Sequence, residues 1–194
     1  FRNPITITGG GTLNAKSNTD CGIYVKETNL TIDGCTVNAK GVYGIAGKDG
    51  SSETLTIKNS IVTAEGASNG CSIADFASLT LDGCAITQPA GAAFDASLHA
   101  VALGGAEVTS KVVISRELNV NSYITLTVKE NSAIKLDLQA AAAGTPVRIV
   151  SGSNTRNITV GTDWYDGNNP STFTVTAAAS TMTVYGDIIN FDCS

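Results

Sequence analysis

The sequence is poor in charged side chains, which make up 15% of its 194 residues against about 25% in an ordinary domain. The formal net charge is −5, and no basic stripe of the kind that neutralises phosphates is present, so nucleic acid is excluded as a partner. The chain also lacks an apolar run of about 18 residues, so no segment is predicted to span a membrane. Hydrophobic residues nevertheless make up 42% of the chain, which is enough for a buried core and excludes a disordered chain.

Side chains that bind metals or perform acid–base chemistry are also scarce. His99 is the only histidine, and none of the five cysteines belongs to a Cys-x-x-Cys pair, so the sequence predicts no zinc site. It contains no calcium-loop pattern and no Gly-x-Ser-x-Gly turn for a nucleophilic serine. We therefore expect neither a metal nor a cofactor.

What the chain does contain is a short phrase in which Ile or Leu alternates with threonine or a charged residue. The phrase begins at residues 5, 30, 55 and 79, so that successive steps are 25, 25 and 24 residues. Strict alternation indicates a strand with one buried face and one solvated face. The four copies are Ile5-Thr6-Ile7-Thr8, Leu30-Thr31-Ile32-Asp33, Leu55-Thr56-Ile57-Lys58 and Leu79-Thr80-Leu81-Asp82.

Each phrase is followed by a second apolar anchor at a matching spacing, and the first three anchors are followed by a third short element. A period near 24 residues accommodates three short strands and three turns, which is one coil of a parallel β-helix with coils about 4.8 Å apart. Leucine-rich repeats have a similar period but require more leucines at fixed offsets, so we favour a right-handed parallel β-helix. The anchors are Leu13, Val37, Val62 and Ile86, and the predicted outward column is Thr6, Thr31, Thr56 and Thr80.

The repeats weaken after the fourth anchor, and a different pattern begins near residue 110. We interpret Ala90–Gly105 as a degenerate fifth coil, which gives an all-β solenoid of about four to five coils at residues 1–110. Beyond it, strand-like segments are separated by turn signals such as Ser151-Gly152-Ser153-Asn154. Residues 111–194 are therefore predicted to form a small, mostly antiparallel β-domain.

The cysteines follow the same repeat. Cys35 and Cys84 occupy one slot two coils apart, with Ser60 between them, and Cys21 and Cys71 occupy another slot. Two coils correspond to about 9.6 Å, which exceeds the roughly 7 Å between Cα atoms that a disulfide allows. We predict no disulfide among these four cysteines and interpret them as small buried hydrophobic residues.

The catalytic alternative is a polysaccharide lyase or glycoside hydrolase of the β-helix type. Glycoside hydrolysis needs two carboxyl groups about 5–10 Å apart, and Asp33 and Asp82 share a face at about 9.6 Å by coil spacing. Lys58 stands between them in the same column, which favours a solvated ladder of charges. The Gly-His-Gly and Arg-x-Lys motifs of pectin-type hydrolases are missing, and we predict that the protein is not an enzyme.

Exposed aromatic side chains are the usual platform for sugars or protein partners. The candidate binding residues are Trp164 and Tyr165, in the loop 161–170, beside Asp163 and Asp166. The alternative for Trp164 is that it fills the core of the second domain.

Two stretches of the chain resemble parts of known surface proteins. The phrase Leu-Thr-Ile-Asp-Gly-Cys at residues 30–35, with echoes at 55–60 and 79–84, resembles the β-helical carbohydrate-binding-domain-like repeats of secreted Bacteroides-type proteins. Residues 123–194 resemble the β-rich leader that precedes the repeats of surface leucine-rich-repeat proteins in similar bacteria. The second resemblance is carried by Ile124-Thr125-Leu126-Thr127-Val128, Gly144-Thr145-Pro146-Val147-Arg148-Ile149-Val150-Ser151-Gly152, Thr181-Met182-Thr183-Val184-Tyr185-Gly186-Asp187 and Ile189-Asn190-Phe191-Asp192-Cys193-Ser194.

The resemblance implies an extracellular or bacterial cell-surface protein, adhesin-like, that contacts a glycan or a host or surface protein. It carries no catalytic residues over to this chain. With the scarcity of catalytic side chains, it leads us to expect a non-catalytic β-repeat module that binds such a partner or acts as a spacer.

Overall fold

The structure is a computed structural model that describes residues 1–162 and 172–193. The chain divides into two compact units, Phe1–Arg116 and Glu117–Ser194. The strands of the first unit are β1 (Ile5–Thr8), β2 (Thr12–Lys16), β3 (Ile23–Tyr24), β4 (Asn29–Asp33), β5 (Thr36–Lys40), β6 (Ile45–Ala46), β7 (Thr54–Lys58), β8 (Ile61–Glu65), β9 (Ile73–Ala74), β10 (Ser78–Asp82), β11 (Cys84–Gln88), β12 (Ala93–Asp95), β13 (Ala100–Leu103), β14 (Ala106–Glu107) and β15 (Val112–Arg116). Those of the second are β16 (Tyr123–Thr127), β17 (Ala133–Ala140), β18 (Thr145–Ser151), β19 (Asn154–Val160), β20 (Thr172–Thr176), β21 (Thr181–Tyr185) and β22 (Ile188–Cys193).

The first unit contains a parallel β-solenoid of about three turns over residues 5–82. Its first face is the sheet β1-β4-β7-β10, its second face begins with β2-β5-β8, and its third face is β3-β6-β9. All of these neighbours are parallel. This confirms the fold class expected from the repeats.

The predicted register of the first face is confirmed residue by residue. Ile5 pairs with Leu30, Leu30 with Leu55, and Leu55 with Leu79. The inward residues of the two central strands are fully buried and form the core of the unit, whereas the threonines between them point outward. Each coil buries its apolar face only against its neighbours, as expected for a solenoid.

The second face departs from the predicted register at its last turn. Ile86 was expected to stack directly on Val62, but β15 lies between β8 and β11 and is antiparallel to both. Ile114 of β15 therefore pairs with Val62 on one side and with Ile86 on the other. The regular stacking ends after about three turns, fewer than the four to five coils expected, because β11 stands one strand away from the column that the period predicts.

Residues 90–105 do not form the expected fifth coil. They contribute to a small antiparallel sheet with the order β12-β13-β14. Gly104 and Gly105, which join β13 to β14, have φ values of 62° and 82°. Two consecutive positive φ angles are typical of the two-residue turn that joins a tight antiparallel hairpin, so the chain reverses here instead of completing another coil.

The second unit is built from antiparallel sheets, as the turn signals predicted. One sheet has the order β16-β21-β18-β19 and the other has the order β20-β17-β22. Its core includes Leu136, Leu138, Ile149, Met182 and Val184. The division after Arg116 leaves β15 with the solenoid, whereas the sequence analysis assigned that segment to the second domain.

Candidate functional site

The outer face of the first sheet presents a column of threonines. Thr6, Thr31, Thr56 and Thr80 are paired in register across the four strands. Adjacent strands lie about 4.8 Å apart, so the four hydroxyl groups form an evenly spaced row. A hydroxyl group both donates and accepts hydrogen bonds, which makes this row suitable for contact with a hydroxyl-rich ligand.

The outer face of the second sheet carries columns of amides and charges. Asn14 pairs with Asn38, and the amide Nδ2 of Asn38 donates to Oδ1 of Asn14 at 2.8 Å. In the next column Lys40 Nζ donates to Glu65 Oε1 at 2.5 Å. The two columns border a shallow depression of about 400 Å³ lined by Asn14, Ala15, Lys16, Asn38, Ala39, Lys40, Thr63 and Glu65.

The two carboxylates of the catalytic alternative lie where the sequence placed them. Asp33 and Asp82 are paired with Lys58 on opposite sides of β7, and Lys58 Nζ is 4.0 Å from Asp82 Oδ2. A cation between two carboxylates on an exposed face is a charge ladder, and such surface pairs contribute little to stability, about 0–1 kcal/mol each.

The corner that joins the third face to the next coil holds buried polar groups that the sequence analysis missed. Glu53 is 0% exposed; its Oε1 accepts a hydrogen bond from the Glu27 backbone N–H at 2.7 Å, and its Oε2 has no partner among the described residues. The Thr28 hydroxyl and Nδ1 of His99 are likewise buried without a partner there. The only signal in the sequence was the position of Glu53 two residues before the inward Leu55.

Asp75 lies at the same corner and has a perturbed acidity. Burial raises the pKa of the Asp75 carboxyl, and the neighbouring carboxylates Glu107 and Asp49 raise the pKa further. Its backbone φ is 60°, a left-handed conformation that Asp and Asn tolerate better than other non-glycine residues. The ionised carboxylate of Asp75 therefore destabilises the folded state at neutral pH.

We predict that Asp75→Asn makes the first unit more stable at pH 7 than the wild type, with a small rise in melting temperature. The pKa of Asp75 is higher in the folded state than in the unfolded state, so wild-type stability falls as the pH rises from the unfolded-state pKa to the folded-state pKa. The gain from Asn should therefore vanish below the ordinary pKa of Asp, about 3.9. Thermal melts between pH 3 and pH 8 measure the difference.

Asp95→Asn is the control of opposite sign. Hydrogen bonds from the Ser97 hydroxyl and from the Ser97 and Leu98 backbone N–H groups lower the pKa of Asp95, so this variant should be no more stable than the wild type at pH 7. A gain for Asp75→Asn that is the same at every pH would contradict the electrostatic explanation.

The cysteines carry free thiols. The predicted register, in which one residue of the intervening coil separates Cys35 from Cys84, is confirmed. Ser60 lies between Cys35 and Cys84: its Oγ accepts from the Cys35 backbone N–H at 3.2 Å, and its own N–H contacts the Cys84 sulfur at 3.2 Å. Burial, together with hydrogen bonds to Asp20 and Glu107, respectively, raises the pKa of Cys21 and of Cys71 to about 12. Such thiols are unreactive at neutral pH because the thiolate is the nucleophile.

The binding residues predicted from the sequence, Trp164, Tyr165, Asp163 and Asp166, lie outside the described residues. Within residues 1–162 and 172–193, no three His, Cys, Asp or Glu side chains converge in a way that could hold a metal ion. In that same part of the chain, no helix has the length and apolarity needed to cross a membrane.

Part of the first unit matches a known family model. Residues 12–86 match the family model described as "Right handed beta helix region", which agrees with the solenoid and gives its hand. No curated protein and no solved structure matches the chain.

Proposed function

We propose that this chain is a non-catalytic module of an extracellular or bacterial cell-surface protein, adhesin-like, which binds a glycan or a surface protein. The observation that carries the proposal is the regular outer surface of the solenoid, where short neutral side chains repeat in register on successive coils. A glycan chain or an extended partner also repeats at short intervals, so a periodic row of hydroxyls and amides can contact several of its units at once.

The solenoid architecture supports a spacer role for the same module. Each coil adds about 4.8 Å to the length of the first unit, and each repeat contacts only its neighbours. The length of the solenoid can therefore change while the side chains on its outer faces stay the same. A protein that presents a binding surface at a distance from a cell gains from both properties.

The test is binding without turnover by the whole chain. Immobilised protein is probed with a glycan array and with extracellular and surface proteins, while polysaccharide solutions are assayed for new reducing ends and for the unsaturated products of lyases. We expect saturable binding to at least one glycan or protein and no product formation.

Two results would contradict the proposal. Turnover of a polysaccharide that is lost in Asp33→Asn or Asp82→Asn, but kept in the control Asp187→Asn, would establish the β-helix enzyme instead. Absence of any glycan or protein partner would remove the binding role and leave the spacer role alone.

A further inference from the structure

The four-stranded sheet of the second unit presents aromatic and polar side chains in one continuous row across its strands. Tyr123 of β16 pairs with Tyr185 of β21, Tyr185 pairs with Arg148 of β18, and Arg148 pairs with Asn157 of β19. Paired residues of adjacent strands lie on the same side of a sheet. The four side chains therefore share one face.

That face points away from the core of the unit. Side chains alternate between the two sides of a strand, and the residues next to the row, Val184 and Ile149, are buried in the core. Tyr123 is 61% exposed, and Arg148 and Asn157 are exposed as well.

The row is ordered by contacts between its members. The rings of Tyr123 and Tyr185 lie with their centroids 5.7 Å apart and their planes at 48°, which is within the range of favourable aromatic pairs. At the other end Arg148 Nε donates to Asn157 Oδ1 at 3.3 Å. An aromatic pair and a guanidinium–amide pair are thus placed side by side on one face of the sheet.

A second row lies parallel to the first and continues its polar character. Thr125 pairs with Thr183, and their hydroxyl oxygens are 3.4 Å apart. Val150 and Thr155 complete this row. The two rows contain one cation, Arg148, and no carboxylate, although the chain as a whole has a net charge of −5.

We propose that these two rows form a glycan-binding platform, on which a pyranose chain lies across the strands and stacks on Tyr123 and Tyr185. The apolar C–H faces of sugar rings pack on aromatic rings, and the strand spacing of about 4.8 Å is close to the length of one pyranose unit. Arg148 and Asn157 donate hydrogen bonds to sugar hydroxyls, and a carboxylate on the sugar gains an ion pair with Arg148. This inference rests on the proposed function and adds to the solenoid surface a second place of glycan contact, in the second unit, with its ligand class.

The chemistry of the surface favours a sugar over a protein partner. The anchors of protein interfaces are aromatic or arginine side chains that fill desolvated pockets at the centre of an apolar patch. Here the rings lie on a sheet face beside threonine hydroxyls, which suits a ligand that is itself extended and rich in hydroxyl groups.

The test measures retardation of the whole chain by affinity gel electrophoresis in a panel of soluble polysaccharides. The panel contains β-glucan, xylan, galactomannan, polygalacturonate and alginate. We expect retardation by at least one polysaccharide, at least tenfold weaker binding of that polysaccharide by Tyr123→Ala, and a melting temperature that the substitution leaves unchanged. Tyr24→Ala is the matched control, since Tyr24 is a tyrosine of the first unit with 41% exposure, and it should bind like the wild type.

Arg148→Gln separates the ion pair from the stacking. It should weaken binding of an acidic polysaccharide more than that of a neutral one and should remove the dependence of the affinity on salt, because exposed ion pairs are screened. Tyr185→Phe keeps the ring and should retain binding, whereas Tyr185→Ala should lose it.

The outcomes distinguish this inference from the proposed function. Binding that is unchanged in Tyr123→Ala and Tyr185→Ala overturns the platform but leaves a glycan-binding module. Binding lost equally in Tyr24→Ala overturns it too, because the effect is then not specific to these rows. Absence of retardation by every polysaccharide overturns the platform and leaves the proposed function its protein partner and its spacer role.

Discussion

Ile114→Asp is expected to unfold the first unit. Ile114 is fully buried in the core of the solenoid and joins Val62 to Ile86 through β15. The substitution removes a packed side chain, which alone costs about 2–5 kcal/mol, and places a carboxylate in an apolar core. We expect a total loss of about 4 kcal/mol or more, which is characteristic of a charge buried among apolar side chains.

Peptide-resolved hydrogen exchange in increasing urea measures this loss, because it follows the two units separately. Peptides from residues 1–116 should lose protection at lower urea in the variant, while those from residues 117–194 provide an internal reference. Ser115→Asp is the matched control: it places the same charge one residue along β15, on the opposite side of the strand, and should cost less than about 1 kcal/mol. Equal effects of the two substitutions would show that β15 does not close the core as described.

The role of β15 also shows where sequence periodicity stops being informative. The register of the first face could be predicted because parallel coils repeat one phrase at a constant step, as Leu30, Leu55 and Leu79 do. The spacing of Ile86 fits the same step, yet its partner is Ile114. An antiparallel strand that enters a parallel sheet from a later part of the chain leaves no trace in the period, since its pairing depends on competition between strands for one edge.

The surface sites also differ in whether the repeat predicts them. The threonine column was predictable because it follows from the repeat, and the placement of Lys58 between Asp33 and Asp82 followed from the same arithmetic. The aromatic row of the second unit was not, because Tyr123 and Tyr185 come together only through the pairing of the distant strands β16 and β21. The buried Glu53 was missed because alternation distinguishes inward from outward positions on strands but not in the corners between them.

Gly47→Ala is the second substitution expected to have a large effect, and its reason lies in the approach of successive coils. A Cβ atom at Gly47 would lie 1.8 Å from the backbone oxygen of Asp75 and 3.3 Å from Cβ of Glu53. The Gly47 N–H also donates to the Ala74 carbonyl at 3.0 Å, so the clash cannot be relieved without breaking the ladder of the third face. Overpacking usually costs about 1–3 kcal/mol, and a methyl group against backbone should reach about 3 kcal/mol or more.

Gly10→Ala is the control, since a Cβ there meets nothing within 4 Å and its φ lies outside the left-handed range. Loss of flexibility in the unfolded chain should make it neutral or stabilising by up to about 1 kcal/mol, so that of the two glycine substitutions only Gly47→Ala should destabilise the first unit in the same urea experiment. If Gly47→Ala were as mild as its control, the coils would have to stand farther apart at this corner. The buried carboxyl of Glu53 would then lie in a wetter environment. The contrast between the two glycines therefore tests the close packing of the corner that joins the third face to the next coil, which the repeat spacing alone does not determine.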